Sequence, residues 1–381
     1  QTIAPDCKTL VWWSSALASM PCHLTDYDYV AIAHDIYADE VRRDGRSEEE
    51  IMTAVGLAWN GTDKISGLIV KTPGLPDMYD YERIAYGSPP PEGIDKMLTA
   101  AQALAKAADG YIVPTANCIE RAGITHCREM YGKRNQELFT IGLQSHELSW
   151  TDAPPTPPTN ELVRSFLDTS LTKYGPKSVL YISFGSMFFP IATPQLVVAL
   201  VETLIALDPP FPFVFALGGK MASLPAELIE RANASGKGII CGFWVEQRAI
   251  LQHAALGWFL THGGFNSVSE SLSQGIPLIV WPTNAEQPVN AALLSSGDDA
   301  VAFELVQVRC GPGLAPSLRG GPKITGTVED AKTEFTTTLA AARDPKGSGA
   351  RLKANAVKMR DALRAARAGE VADEIVRLAK F

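Results

Sequence analysis

The stretch from Trp244 to Gln287, WVEQRAILQHAALGWFLTHGGFNSVSESLSQGIPLIVWPTNAEQ, constrains this chain more than any other. Its apolar run Leu256 to Leu260 reads as a buried strand. Thr261-His262-Gly263-Gly264 follows, and a helical pattern begins near Asn266 and Ser267. A strand, a glycine turn and a helix start, in that order, direct backbone N–H groups and the positive end of the helix at one spot. Such a spot suits a phosphate or pyrophosphate. Glycine serves in the turn because a side chain there would hold the ligand away.

The surrounding sequence repeats this alternation. Val179 to Ser186, VLYISFGS, opens it, and strands are expected near 212–218, 238–243, 256–260, 278–281 and 300–305. Helical patterns are expected near 194–207, 226–234, 246–253, 266–274 and 286–296. Alternating βα units make a parallel sheet with ligands at the carboxyl ends of its strands. Residues 307–326 are rich in Gly and Pro and read as a surface loop, with two or more helices from about 328.

Before this region the pattern is shorter. Thr9 to Ser15 reads as a strand, Asp28 to Arg43 as a helix, 91–109 as an alanine-rich helix, and Tyr111 to Thr115 as a strand. Asn117 to Met130 reads as a helix and Leu138 to Gly142 as a strand that ends an α/β domain. Four prolines and no periodicity make 146–165 a stiff linker. The expected division is therefore 1–145, the linker, a second α/β domain over 166–360, and a C-terminal helix over 361–381. A doubly wound domain at roughly 30 residues per βαβ step needs more chain than 1–145 supplies, so its first strands are expected to lie before Gln1.

Composition limits the partners. A net charge of −8 and an isoelectric point near 5.4 argue against a nucleic-acid surface, which needs clustered Lys and Arg. No run approaches the roughly 20 apolar residues of a membrane helix. Cysteines 7, 22, 118, 127, 241 and 310 are scattered without C-x-x-C pairs, so reduced thiols in a cytoplasmic protein are expected. Asn60-Gly61-Thr62 and Asn233-Ala234-Ser235 match the glycosylation triplet, a pattern that arises often by chance.

Taken in register, Trp244, Gln247, His253, Thr-His-Gly-Gly-Phe-Asn-Ser, Glu270, Gly-Ile-Pro and the closing Glu286-Gln287 span 44 residues. This box resembles the donor-binding signature of UDP-dependent glycosyltransferases, and Val308 to Phe335 resembles fungal members. The resemblance implies a GT-B fold, two Rossmann-like domains facing a crevice, the N-terminal one incomplete here. It implies an enzyme that transfers a hexose from a UDP-sugar to a hydroxyl of a small, apolar acceptor with inversion. It also implies no metal and no further cofactor. The family's catalytic histidine follows its first strand and matches no position of this sequence, so the base is expected before Gln1.

By the same resemblance Trp244 stacks on uracil, Val245 and Gln247 meet the base and ribose, and Glu270 accepts from the ribose hydroxyls. His262, Gly264, Asn266, Ser267 and Ser186 contact the phosphates, while Glu286 and Gln287 hold the hexose. Each has a plainer reading. An isolated Trp is more often core, Asn266 and Ser267 can cap a helix, and Ser267 with Glu270 fits a capping box. His253 reads as packing. Asp26-Tyr27-Asp28 matches the metal-binding D-x-D pattern of another glycosyltransferase fold but reads as solvated acid. Two alternatives stand beside transfer: a catalytically incomplete chain that binds UDP-sugar, and a UDP-sugar epimerase, whose ring-flanking acids and bases the box does not display. The acceptor, the sugar and the oligomeric state are left open.

Overall fold

A computed structural model describes residues 7–23, 29–59, 67–83, 94–151 and 154–381. Asp26-Tyr27-Asp28 and the Asn60 triplet lie outside the described residues.

The first unit is built on β1 (Leu10–Trp12), followed by α1 (Met20–His23), α2 (Tyr29–Ala38), α3 (Glu40–Arg43) and α4 (Glu48–Trp59). The expected helix over 28–43 is two helices, because the Asp39 carboxylate accepts from the N–H groups of Val41 and Arg42 and starts a new one. A hairpin of β2 (Ile69–Val70) and β3 (Met78–Tyr79) comes next, then α5 (Ile94–Ala107), β4 (Gly110–Val113), α6 (Asn117–Gly132) and β5 (Glu137–Thr140). Among the described residues the sheet of this unit is parallel and ordered β1-β4-β5.

The second unit starts with α7 (Glu161–Tyr174), which Asn160 caps by accepting from Val163 N–H and Gly175 ends at φ +83°. The proline-rich stretch thus yields to helix at residue 161, inside the expected linker. Then come β6 (Val179–Ser183), α8 (Pro194–Ala206), β7 (Phe213–Ala216), α9 (Ala226–Ala234), β8 (Gly238–Cys241), α10 (Gln247–Gln252) and β9 (Leu256–Thr261). After them run α11 (Phe265–Ser273), β10 (Leu278–Val280), α12 (Gln287–Ser295), β11 (Ala302–Glu304), α13 (Val328–Arg343), α14 (Ser348–Ala368) and α15 (Glu370–Ala379). All six strands are parallel, in the order β11-β10-β9-β6-β7-β8.

Alternation along these strands explains their continuous apolar character. Val179, Tyr181, Val214, Phe259 and Val280 face one buried layer, while Leu180, Ile182, Phe213, Leu260 and Ile279 face the other. A sheet buried on both faces must be covered by helices on both. The first strand, β6, sits between β7 and β9: the chain runs from it through β7 to β8 on one side, then crosses back to β9 on the other. Its carboxyl end is therefore the topological switch point of the sheet.

The C-terminal helices join the units. α14 packs on α11 of the second unit and on α6 of the first, so residue 361 falls within a single helix that serves both. α15 lies against β5: Arg377 Nη1 meets Glu137 at 2.6 Å, its guanidinium covers Phe139, and the Glu370 carboxylate accepts the Asn117 N–H at the start of α6.

Residues 307–326 are not a free surface loop. Glu334 accepts from the N–H groups of Val306 and Gln307, and Gln307 holds Lys323 and Thr325. Arg309 and Arg319 both pair with Glu304 at 2.6 Å, and Glu82 of the first unit accepts from Ser317 Oγ and the Leu318 N–H. Burial would raise the Glu304 carboxyl, but the two guanidinium charges hold it below its ordinary value. Arg319→Met leaves this buried carboxylate half-compensated and is expected to cost about 3 kcal/mol. Urea unfolding followed by circular dichroism checks this, and Arg319→Lys should recover only part, because an ammonium cannot reach Glu304 and Glu82 as a fork.

Candidate functional site

The carboxyl ends of β6 and β9 pair at Ser183 and Thr261, and a cavity of about 560 Å³ opens above them. Its lining includes Ser186, Trp244, Val245, Gln247, His262, Gly264, Asn266, Ser267, Glu270 and Glu286. Ten of the eleven positions expected from sequence thus converge on one space, from four separate segments. The eleventh, Gln287, is not part of the lining. It is fully buried, and its Oε1 accepts from Thr283 N–H, Thr283 Oγ1 and Asn284 N–H at 2.8, 3.0 and 2.8 Å. In this structure Gln287 shapes the turn that carries Glu286.

The His262 turn is crowded. Gly263 sits at φ +85°, its carbonyl accepting from Asn290 Nδ2 at 2.8 Å. A Cβ at Gly264 would come within 2.4 Å of His262 Nε2, and one at Gly185, which also has positive φ at +73°, within 2.8 Å of His262 Cε1. Only glycine at both places lets the two turns close on the imidazole. Thr261 Oγ1 lies 3.2 Å from His262 Nδ1, and the Phe188 ring stacks on the imidazole with centroids 5.7 Å apart.

Helix α11 begins at Phe265, with Gly264 as its N-cap and no side-chain cap. Asn266 and Ser267 therefore do not cap it; they occupy the first turn. The first backbone bond runs from Val268 N–H to Gly264 C=O, which leaves the N–H groups of Phe265, Asn266 and Ser267 outside the helical ladder. The helix dipole and these donors point at the cavity that His262 borders.

Across the cavity Gln247 Nε2 donates to Glu270 Oε2 at 2.9 Å, and with Gly264 as the N-cap the alternative of a Ser267–Glu270 capping box does not form. Tyr181, fully buried beneath, places its hydroxyl 3.4 Å from Gln247 Oε1. Trp244 is 74 % exposed at the rim, an orientation that a core Trp does not have, while Val245 is buried and can offer only backbone. His253 pairs with Asp168 at 3.2 Å away from the cavity.

Several lining residues were not singled out from sequence: Tyr181, Met187, Phe188, Gly218 and Ser14. Tyr181 was hidden because a strand-interior Tyr reads as core, although its place two residues before Ser183 puts it on the same face as the switch point. Ser14 comes from the first unit, just past β1, and no local pattern marks it. His34 pairs with Glu48, and His146 contacts Arg248 and starts its own short helix. Neither lines the cavity.

A glycine turn and helix start thus face an exposed indole across a half-buried carboxylate, and known proteins resemble this chain in sequence and fold. Residues 149–310 match the model of the family described as UDP-glucoronosyl and UDP-glucosyl transferase. The UDP-glycosyltransferase eriJ of Hericium erinaceus is 32 % identical over 311 residues, 79 % of this chain and 60 % of the relative. The chain belongs to the UDP-glycosyltransferase family. It spans 60 % of the length of the Hericium protein and 42 % of UDP-glycosyltransferase 76F2 of Arabidopsis thaliana, to which it is 34 % identical over 215 residues. A Medicago truncatula glycosyltransferase complexed with UDP-glucose superposes with a TM-score of 0.65 at 18 % identity, covering 98 % of this chain and 70 % of that one. The fold is the GT-B arrangement of such structures. Among the described residues no helix is long and apolar enough to cross a membrane.

Burial drives the His262 pKa down to about 4, partly offset by a hydrogen bond to the Ser183 carbonyl. The unfolded imidazole takes up a proton near pH 6.5. The folded one refuses it until about pH 4, so the stability present above pH 6.5 is lost as pH falls through that window. The loss attributable to this group is expected to be about 3 kcal/mol at most. Urea titrations at pH 7 and pH 5 of the native chain and of His262→Asn check it: the variant should lose less between the two.

Proposed function

We propose that this protein transfers a hexose from a UDP-sugar to a hydroxyl of a small, apolar acceptor, with inversion at the anomeric carbon and without a metal or other cofactor. The observation that carries the reading is the open N-terminus of α11 beside His262, opposite Glu270 and beneath Trp244, within one cavity. Uracil stacks on the exposed face of Trp244, and the Val245 backbone and Gln247 meet base and ribose. Glu270, already held by Gln247, accepts from the ribose hydroxyls. The phosphates lie against Ser186, His262, Gly264, Asn266 and Ser267, and Glu286 faces the hexose.

In the reaction the acceptor oxygen bonds to the anomeric carbon from the face opposite UDP, and the sugar–phosphate C–O bond breaks with its electron pair leaving on UDP. The acceptor proton passes to a base. Helix end and hydrogen-bond donors meet the charge that develops on the leaving phosphate. A neutral His262 still donates or accepts a hydrogen bond but brings no charge of its own, which leaves the helix dipole as the main electrostatic element. Transfer, rather than binding alone, is supported by the relatives, which include a solanidine UDP-glucose glucosyltransferase of Solanum tuberosum and a flavonoid 3-O-glucosyltransferase of Medicago truncatula. Those names also motivate the apolar acceptor, which would approach from the first unit, whose Ser14 lines the cavity.

Two measurements test the reading. Trp244→Ala and His262→Ala are each expected to weaken UDP binding by roughly tenfold or more in calorimetry, the loss of one good contact; unchanged affinity in both would overturn the donor site. In a transfer assay with UDP-glucose and a sterol or flavonol, His34→Ala and His146→Ala should leave the rate within about twofold, a change well under 1 kcal/mol. Abolished transfer in either would identify that histidine as the base.

A further inference from the structure

The loop after β6 is pinned at both ends by aromatic side chains in the core. Phe184 packs edge-on against Phe189 at 5.6 Å and against Trp281 at 5.4 Å, and both Phe184 and Phe189 are almost fully buried. Four residues lie between these anchors, Gly185, Ser186, Met187 and Phe188, and all four line the cavity. Ser186 and Met187 are exposed, while Phe188 is only partly buried and lies against the His262 ring with 29° between planes. The imidazole is thereby covered on a face that would otherwise meet water, and its edges are bounded by Gly185, Gly264 and Thr261.

From this contact we infer that Phe188 is a positioning residue: by covering the His262 ring it keeps the imidazole dry and in one orientation against the anion subsite. The inference rests on the donor-site reading for its functional consequence, but not for the state of His262 itself. The ring stack supplies what a capping hydroxyl cannot, a flat apolar cover that fixes the imidazole plane while leaving its edge toward the helix start. Desolvation is also the first cause of the low His262 pKa, with no charged neighbour contributing. The titratable groups that line the same cavity are Tyr181, Glu270 and Glu286. Tyr181 is itself buried and its hydroxyl pushed up, so it stays neutral through the relevant range.

The test follows the imidazole directly. Nuclear magnetic resonance of His262 in Phe188→Leu and Phe188→Ala should show its titration midpoint rise by at least one pH unit from the native value toward 6.5, the ordinary value for histidine. Phe188→Tyr, which keeps the ring, should hold it near the native value. UDP affinity at pH 7.5 should fall about fivefold in the leucine and alanine variants and be restored in the tyrosine variant, roughly 1 kcal/mol by the usual conversion. The deficit relative to the native chain should shrink at pH 5.5, where an exposed imidazole gains charge. An unchanged His262 midpoint in folded Phe188→Leu overturns the assignment whatever UDP does. Failure of the native chain to bind UDP would instead overturn the donor-site reading, with the titration still deciding the role of Phe188.

Discussion

The closeness of two turns is the constraint on which the site depends. β6 and β9 are hydrogen-bonded neighbours, so whatever follows Ser183 and Thr261 must share one small volume. The first turn brings Gly185 and the second Gly264, and both stand where any Cβ would strike the His262 ring. That approach puts the start of α11 beside β6 rather than a side-chain length away. Without it, the free N–H groups of the helix would face a neighbouring loop instead of a cavity.

The same chain uses buried and half-buried carboxylates to finish irregular backbone. Glu120 accepts from the N–H groups of Leu17 and Ala18, Glu334 from Val306 and Gln307, Glu82 from Tyr79 and Leu318, and Glu370 from Asn117. Each takes donors that no helix or sheet ladder satisfies, which an apolar residue in that place would strand. Burial raises the carboxyls of Glu120 and Glu334, Glu334 to about 7, against the pull of those same hydrogen bonds. Two of the four, Glu82 and Glu370, join the units. Together with α14 and α15 they hold the first unit over the crevice and bring Ser14 to the cavity wall.

Much of the second unit was legible because its strands and helices carry their own signals. Apolar runs such as VLYIS and LGWFLT reappear as strands, and the helix starts near 194, 226 and 266 lie within a residue or two of their expected places. The helix over 161–174 was obscured by four nearby prolines, which stiffen a chain without stopping the one that follows. The stretch 307–326 read as surface loop because Gly and Pro mark turns but say nothing of what Arg309 and Arg319 will meet. Gln287 was placed on the sugar by register with its neighbours. In the structure its amide oxygen is committed to three donors in the turn before α12, a duty that register alone does not show.

The sequence alone determined the alternation of apolar runs and glycine turns, and therefore a parallel sheet with an anion-binding helix start at a strand end. Those features depend on contacts within a few residues: strand period, turn stereochemistry, the orphan N–H groups of a first helical turn. Only the tertiary structure decided that β6 and β9 would be neighbours, that Phe188 would cover His262, that Tyr181 and Gln247 would brace Glu270, and that Ser14 would reach the cavity from the other unit. Such pairings are set by strand order and by the packing of distant segments, and no local pattern encodes them.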